Sequence, residues 1–242
     1  MCKFAFLFTI AFASHIALAQ TSQPIGIDAE RNLAELGSST NATMVQVYDN
    51  RYEGIKGTPY FKEHWAKATI AANNTVYKNV EVKYNVYESN LLYRTPKGAE
   101  YVLLPARVDS FLLVDGVTQQ KFMFRKFPAL AAEAPKLGQH FALVLHDGKQ
   151  VQLVMVPQKH LMKADFKGPY SAGNKYDELQ DLQSYYLFGP DQTFIKVKLN
   201  KKSLLKALPG KQDKVAAYIA AERLDAGNAQ GWAKALAYYE SL

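Results

Sequence analysis

From Thr75 onward the hydrophobic period switches to two, and that period decides most of what this chain can become. Val80, Val82, Tyr84 and Val86 alternate with Glu81, Lys83 and Asn85. Successive side chains of a strand point to opposite faces, so this pattern describes a strand with one buried and one wet face. Related stretches follow at residues 91–94, 100–104, 108–113 and 121–125. Pro96-Lys97-Gly98 and Asp115-Gly116 fall between them, and such residues supply the backbone angles that tight hairpins need. Residues 141–145 and 151–156 are joined through His146-Asp147-Gly148, and 185–188 and 193–199 through Gly189-Pro190-Asp191. Short antiparallel strands on short turns predict a mainly β meander, closed into a barrel or folded into a sandwich.

Two of these hairpins echo one another. Phe141–Ala164 laid on Ser184–Ala207 matches Val154 with Val197, and both end in Lys-Xaa-Leu-Xaa-Lys-Ala. The echo predicts a repeated unit of strand, turn, strand and short helix, with 91–113 as a looser third copy. The competing reading is that alternating strands resemble one another anyway.

Beyond Leu199 the period becomes helical. Asn200 is placed to cap a short helix carrying Leu204, Leu205 and Leu208, stopped by Pro209-Gly210. Asp213 is expected to start a second helix, with Val215, Tyr218 and Ile219 at helical spacing. A third from about Asn228 carries Trp232, Leu236 and Tyr239 at i, i+4 and i+7. This stripe reads as core packed on the sheet, with a partner-binding groove as the alternative.

The start of the chain has a different character. Lys3 precedes an uncharged, largely apolar run at 4–18 that ends in Ala17-Leu18-Ala19. A positive n-region, an apolar stretch and small residues at the cleavage positions describe a signal peptide, with cleavage expected between Ala19 and Gln20. The run falls short of the ~20 residues of a membrane-spanning helix. Four segments are therefore expected: a signal peptide at 1–19, a flexible or partly helical leader at 20–45, an antiparallel β domain at 46–199, and a helical segment at 200–242 packed on it. Cys2 is the only cysteine and leaves with the signal peptide, so no disulfide or cysteine-bound metal is expected afterwards. The chain has 29 basic and 22 acidic residues, a formal charge of +7, one unit of which is Lys3. That modest excess, together with export, argues against nucleic acid as a partner.

Catalytic patterns are sparse. Gly168-Pro169-Tyr170-Ser171-Ala172-Gly173 has proline where a nucleophile elbow needs its first glycine, and reads as a loop. His64, His140, His146 and His160 lack the i, i+4 pairing of a helical zinc motif, although His140 and His146 bracket one strand and permit a site across a hairpin. Asp109, Glu53 and Glu63 are the carboxylates nearest aromatic residues, without a spacing that singles out a catalytic pair. No catalytic residue, metal site or cofactor is assigned.

Two surfaces invite binding. Arg51, Tyr52, Glu53, Tyr60, Phe61 and Trp65 lie in a glycine- and proline-bearing stretch. As a recognition loop it would offer Arg51 as a bidentate donor and flat aromatic faces to a sugar or peptide. Its plainer reading is a plug for one end of the sheet, clamped by Arg51 and Glu53. Lys196, Lys198, Lys201, Lys202 and Lys206 form a basic patch, suited to anionic lipid or envelope polymer or else simply a solvated face.

The run from Asp49 through Arg51-Tyr52-Glu53-Gly54 to Gly57-Thr58-Pro59-Tyr60, the strand at 77–85, and the tail from Lys201-Lys202-Ser203-Leu204-Leu205 to Tyr238-Tyr239-Glu240-Ser241-Leu242 together resemble a family of exported proteins of uncharacterised activity from Bacteroidetes-type bacteria. The resemblance covers most of the chain after the signal peptide. It implies export and carries over no site residues. The expectation is a non-enzymatic binding or accessory module of the bacterial cell envelope, in the periplasm or at the cell surface, with a glycan, lipid or protein partner. The alternatives are a carboxylate-dependent hydrolase acting on envelope carbohydrate or peptide, and a structural partner of an outer-membrane complex.

Overall fold

The computed structural model describes residues 51–242 apart from 96, 104, 168–173, 190 and 192. The expected signal peptide, the leader at 20–45 and the serine-bearing loop at 168–173 lie outside the described residues. Ten strands follow in chain order: β1 (Ala66–Ala72), β2 (Thr75–Asn85), β3 (Asn90–Arg94), β4 (Glu100–Leu103), β5 (Ser110–Val114), β6 (Lys121–Lys126), β7 (Phe141–Asp147), β8 (Gln152–Met162), β9 (Glu178–Phe188) and β10 (Phe194–Val197). They form one antiparallel sheet in the order β10-β9-β8-β7-β6-β5-β1-β2-β3-β4. The expected antiparallel sheet is present, but as two meanders, β1–β4 and β5–β10, joined where β5 pairs with β1 instead of β4. Its ends, β4 and β10, do not pair with each other, so hydrogen bonds do not close the sheet into a barrel, nor do the strands divide into the two sheets of a sandwich.

The sheet is nevertheless strongly curled. Neighbouring strands lie ~4.8 Å apart, so a flat sheet would hold β2 and β9 about 29 Å from each other. Yet Lys56 bridges to Glu178 on β9, and Tyr60 bridges to Asn85 on β2. The extended chain between Lys56 and Tyr60 reaches at most about 14 Å. The first bridge is parallel and the second antiparallel, whereas a flat alternating sheet would leave β2 and β9 parallel. A twist of about 20–25° per strand, accumulated from β2 to β9, turns them past a right angle and accounts for both senses. Two bulges add to the bend. In the β1–β2 ladder, β2 spends an extra residue between Tyr77 and Val80, with Asn79 at φ 61°. In the β7–β8 ladder the register shifts between Val144 and His146.

The concave face holds the main core. Phe111 and Phe124 stack with centroids 4.8 Å apart, and Tyr84 meets Phe111, Phe124 and Phe141 edge-on. Tyr84 and Phe141 belong to strands four places apart, yet their rings are 5.9 Å apart, a second sign of the curl. Between β2 and β5, β1 contributes Ala66, Ala68, Ile70 and Ala72 to the same core, all buried. Small side chains there leave room for the large ones, which is how a tightly bent sheet fills its inside.

Sequence periodicity alone did not single out β1, because Ala66-Lys67-Ala68-Thr69-Ile70-Ala71-Ala72 is dominated by a helix-favouring residue. The turn after it, Asn73-Asn74, has both φ values positive (48° and 59°), as a two-residue hairpin requires. β2, β8 and β9 reach 11 residues each, longer than expected. The first half of β9, Glu178 to Gln183, is mostly polar, and pairing with β8 holds it as strand.

The other face of β7–β10 is covered by two 3-10 turns, Pro128–Ala132 and Pro135–Leu137. Their Leu130 and Leu137 pack on Ala142, Val154, Val156, Tyr186 and Phe194. Three helices close the remaining part of the concave side: α1 (Lys201–Lys206), α2 (Gln212–Ala221) and α3 (Ala229–Ser241). Asn200 and Asn228 cap α1 and α3, accepting from the Ser203 and Gly231 N–H groups. Lys211 precedes α2, and Asp213 lies in its first turn rather than at the cap. Trp232, Leu236 and Tyr239 are buried with Val151, Leu153 and Leu187, as their spacing predicted. Burying each such side chain stabilises the fold by about 1.5–3 kcal/mol.

The structure overturns the proposed repeat. Lys159 to Met162 continue β8, whereas Lys202 to Lys206 lie in α1. The shared Lys-Xaa-Leu-Xaa-Lys motif thus adopts two conformations. In the first copy eleven-residue pairing with β9 imposes strand. In the second, the Asn200 cap and the Pro209-Gly210 stop favour helix.

Candidate functional site

Residues 51–65 form a strap across the curled sheet, pinned at four places. At its start, Arg51 Nη1 donates to Glu88 Oε1 (2.6 Å), and Tyr52 Oη donates to the same oxygen (3.0 Å). Asn85 Nδ2 donates to Tyr52 Oη (3.2 Å), and burial pushes the Tyr52 phenol up to about 12. The expected Arg51–Glu53 clamp is replaced by Arg51–Glu88. Glu53 is exposed, while the β2–β3 hairpin turns Glu88 toward Arg51.

Next, Lys56 N–H donates to Asp177 O (2.8 Å) and Leu179 N–H donates to Lys56 O (2.8 Å). Gly57 has φ +84°, and a Cβ there would stand 2.6 Å from Leu179 O, so this crossing needs glycine. Phe61 then turns inward onto Phe122 and Phe124, both at 5.1 Å. Lastly, Lys62 Nζ lies 3.2 Å and His64 Nε2 3.5 Å from the carboxylate of Asp115. Asp115 is itself buried in the β5–β6 turn and accepts from the Val117 and Thr118 N–H groups. The Thr118 and Val117 donors, helped by Lys62, hold it far below the ordinary carboxylate range.

Tyr60 and Trp65 go the other way, onto the outer face. Lys83 Nζ lies 4.8 Å from the Tyr60 ring and 5.2 Å from the Trp65 ring. The guanidinium of Arg94 is 4.8 Å from Trp65. Arg94 also donates through Nε and Nη2 to Glu81 (3.0 and 2.8 Å), with Lys67 3.5 Å from the same carboxylate group. The Arg94 hydrogen bond, above all, lowers the proton affinity of Glu81. Two cations thus share one carboxylate, and among the described residues Lys83 has no acidic neighbour within ion-pair distance.

The six residues singled out in sequence therefore divide: Arg51 and Tyr52 at a hairpin, Glu53 in solvent, Phe61 in the core, Tyr60 and Trp65 on a cationic outer strip. Lys83 and Arg94 were legible only as outward positions of alternating strands. The β2–β3 register, which joins Glu81 to Arg94, brings them to Trp65.

The basic patch occupies the far edge of the sheet. Lys196 on β10, Lys198, and Lys201, Lys202 and Lys206 on α1 are all exposed. Among the remaining candidates, His140 and His146 stand at opposite ends of β7, about 20 Å apart by strand rise, too far to share an ion. Among the described residues no group of three or more His, Cys, Asp or Glu gathers as a metal site. Glu63 precedes β1, while the Asp109 N–H donates to Ala71 O near the other end of that strand. The length of β1, over 20 Å, separates the two carboxylates beyond the span of a glycosidase pair.

Glu240 was not anticipated. Its carboxylate accepts from the N–H groups of Lys149, Gln150 and Val151 (3.2, 2.7 and 3.0 Å), tying the end of α3 to the β7–β8 turn. Burial works against the charge, but these three donors and nearby His146 hold it below the ordinary range. Among the described residues no helix is long and apolar enough to cross a membrane. No protein-family model matches this chain, and neither does any curated protein or solved structure.

Proposed function

We propose that the chain is a non-enzymatic binding module of the bacterial cell envelope, with the Tyr60–Lys83–Trp65–Arg94 strip as its contact surface. The observation that carries this reading is the interleaving of two aromatic rings with incompletely neutralised cations on the outer face. Rings offer flat apolar area to a sugar, and the cations favour one bearing carboxylate or phosphate. Envelope placement rests on the signal-peptide pattern and on the resemblance to exported Bacteroidetes-type proteins. Binding is preferred to carboxylate hydrolysis for a further reason. Among the described residues the carboxylates with displaced proton affinity, Glu81, Asp115, Asp177, Asp191 and Glu240, are all displaced downward by structural partners, whereas a general acid needs an upward shift.

Tryptophan fluorescence tests the proposal. The chain has two tryptophans. Trp232 is fully buried with its indole N–H on Ala226 O, so a surface ligand would be reported by Trp65. Titration with fragments of acidic cell-wall glycan should give a saturable change in emission, absent in Trp65→Phe and weakened about tenfold in Lys83→Glu, in line with one lost ionic contact. No saturable change with acidic or neutral glycan would sink the proposal.

A further inference from the structure

The opposite edge of the sheet carries a different surface. Among the described residues β10 pairs only with β9, and the chain passes from it through Lys198 into α1. Lys196, Lys198, Lys201, Lys202 and Lys206 are exposed along this short path, and among the described residues none has a carboxylate within ion-pair distance. The nearest acid before them, Asp191, is held by the Thr193 N–H and hydroxyl in its own turn. Ile195, between Phe194 and Lys196, is 44% exposed.

We infer that this edge docks on a membrane surface rich in anionic phospholipid. Five exposed ammonium groups with no paired carboxylate give a diffuse positive edge, which suits a surface of many phosphates better than one compact ligand. Lysine stems let the charges reach the headgroups, and Ile195 adds an apolar contact at the same edge. The docking edge is at the β10 end of the strand order and the Tyr60–Trp65 strip near the β4 end.

Vesicle sedimentation with the full chain tests this inference. Vesicles with about 30% phosphatidylglycerol in phosphatidylcholine should pellet the protein far more efficiently than pure phosphatidylcholine, and about 0.5 M salt should release it. Lys198→Gln/Lys202→Gln/Lys206→Gln should weaken binding by about a hundredfold, from the usual contribution of each lysine at an anionic surface. These side chains are exposed, so the thermal midpoint should hold, and Lys196→Gln/Lys201→Gln provides a second variant with a smaller loss. Equal pelleting of wild type and triple variant would overturn the inference, as would equal pelleting on pure phosphatidylcholine. Binding to soluble polyphosphate without binding to vesicles would overturn the lipid assignment as well.

Discussion

Replacing Glu240 by alanine should loosen the whole C-terminal helical segment. The side chain is 19% exposed and accepts three backbone N–H bonds. Lys149 and Gln150 are exposed and can turn to water when the carboxylate is gone, whereas Val151 is buried and cannot. One charge-assisted bond lost at a buried donor is worth about 2–3 kcal/mol, and the two rehydrated donors add little. For a chain of this size that lowers the thermal midpoint by about 5–10 °C.

Glu240→Gln keeps one acceptor oxygen, so its loss should be near 1 kcal/mol. The pH dependence follows from the depressed proton affinity. The contribution is present in full above the unfolded glutamate value of about 4.3 and disappears as pH falls through the lower folded value. The difference between wild type and Glu240→Ala should therefore shrink on acidification. A second variant isolates the contact. A Cβ at Gly148 would stand 2.1 Å from Glu240 Oε1, so Gly148→Ala should displace the carboxylate in wild type but do little in Glu240→Ala. Urea denaturation followed by tryptophan emission in a Trp65→Phe background, which leaves Trp232 as the reporter, at neutral pH and near pH 3.5, measures all of this. A Glu240→Ala loss below about 0.5 kcal/mol, or one unchanged by acid, would refute the reasoning.

Two further outcomes are expected. Gly57→Ala combines a left-handed backbone with overlap on Leu179 O, and should cost about 2–3 kcal/mol in the same assay; a neutral result would mean the strap is not held at this crossing. Asp115→Ala removes two turn donors' acceptor and the anchor for Lys62, and should cost about 2–3 kcal/mol. Because Asp115 is depressed, its stabilisation is complete above the unfolded value of about 3.9 and declines only as pH falls toward the folded one; a carboxyl carbon shift titrating in the ordinary range would contradict this.

The fold was largely legible where one face of a strand is greasy and the other charged, as in β2, or where a helix has a capping asparagine and an apolar stripe, as in α3. It was illegible where the sheet's curvature sets the rules. Alanines suit β1 only because large rings fill the same core, and polar residues of β9 are strand only because β8 runs beside them. The loop at 51–65 announced itself by composition, but not the destination of each residue. Arg51 meets Glu88 and Trp65 meets Arg94 through strand register, which local sequence does not encode. Glu240 is the extreme case: its partners are backbone N–H groups of a turn far away in sequence, and no side-chain pattern marks them.

The strap also has a kinetic meaning. The hairpins close between chain neighbours, so most of the meander zips with little loop entropy lost. Lys56 and Leu179 instead enclose eight strands between them, and their backbone bonds form only once β9 is in place. Such late contacts are missing from the folding transition state, so weakening them speeds escape from the native state and leaves its formation nearly untouched. Gly57→Ala should shift the unfolding limb of a chevron plot by about thirtyfold or more while the folding limb stays put; movement of the folding limb would place the strap earlier. The strap governs how long the curled sheet stays shut, not how quickly it assembles.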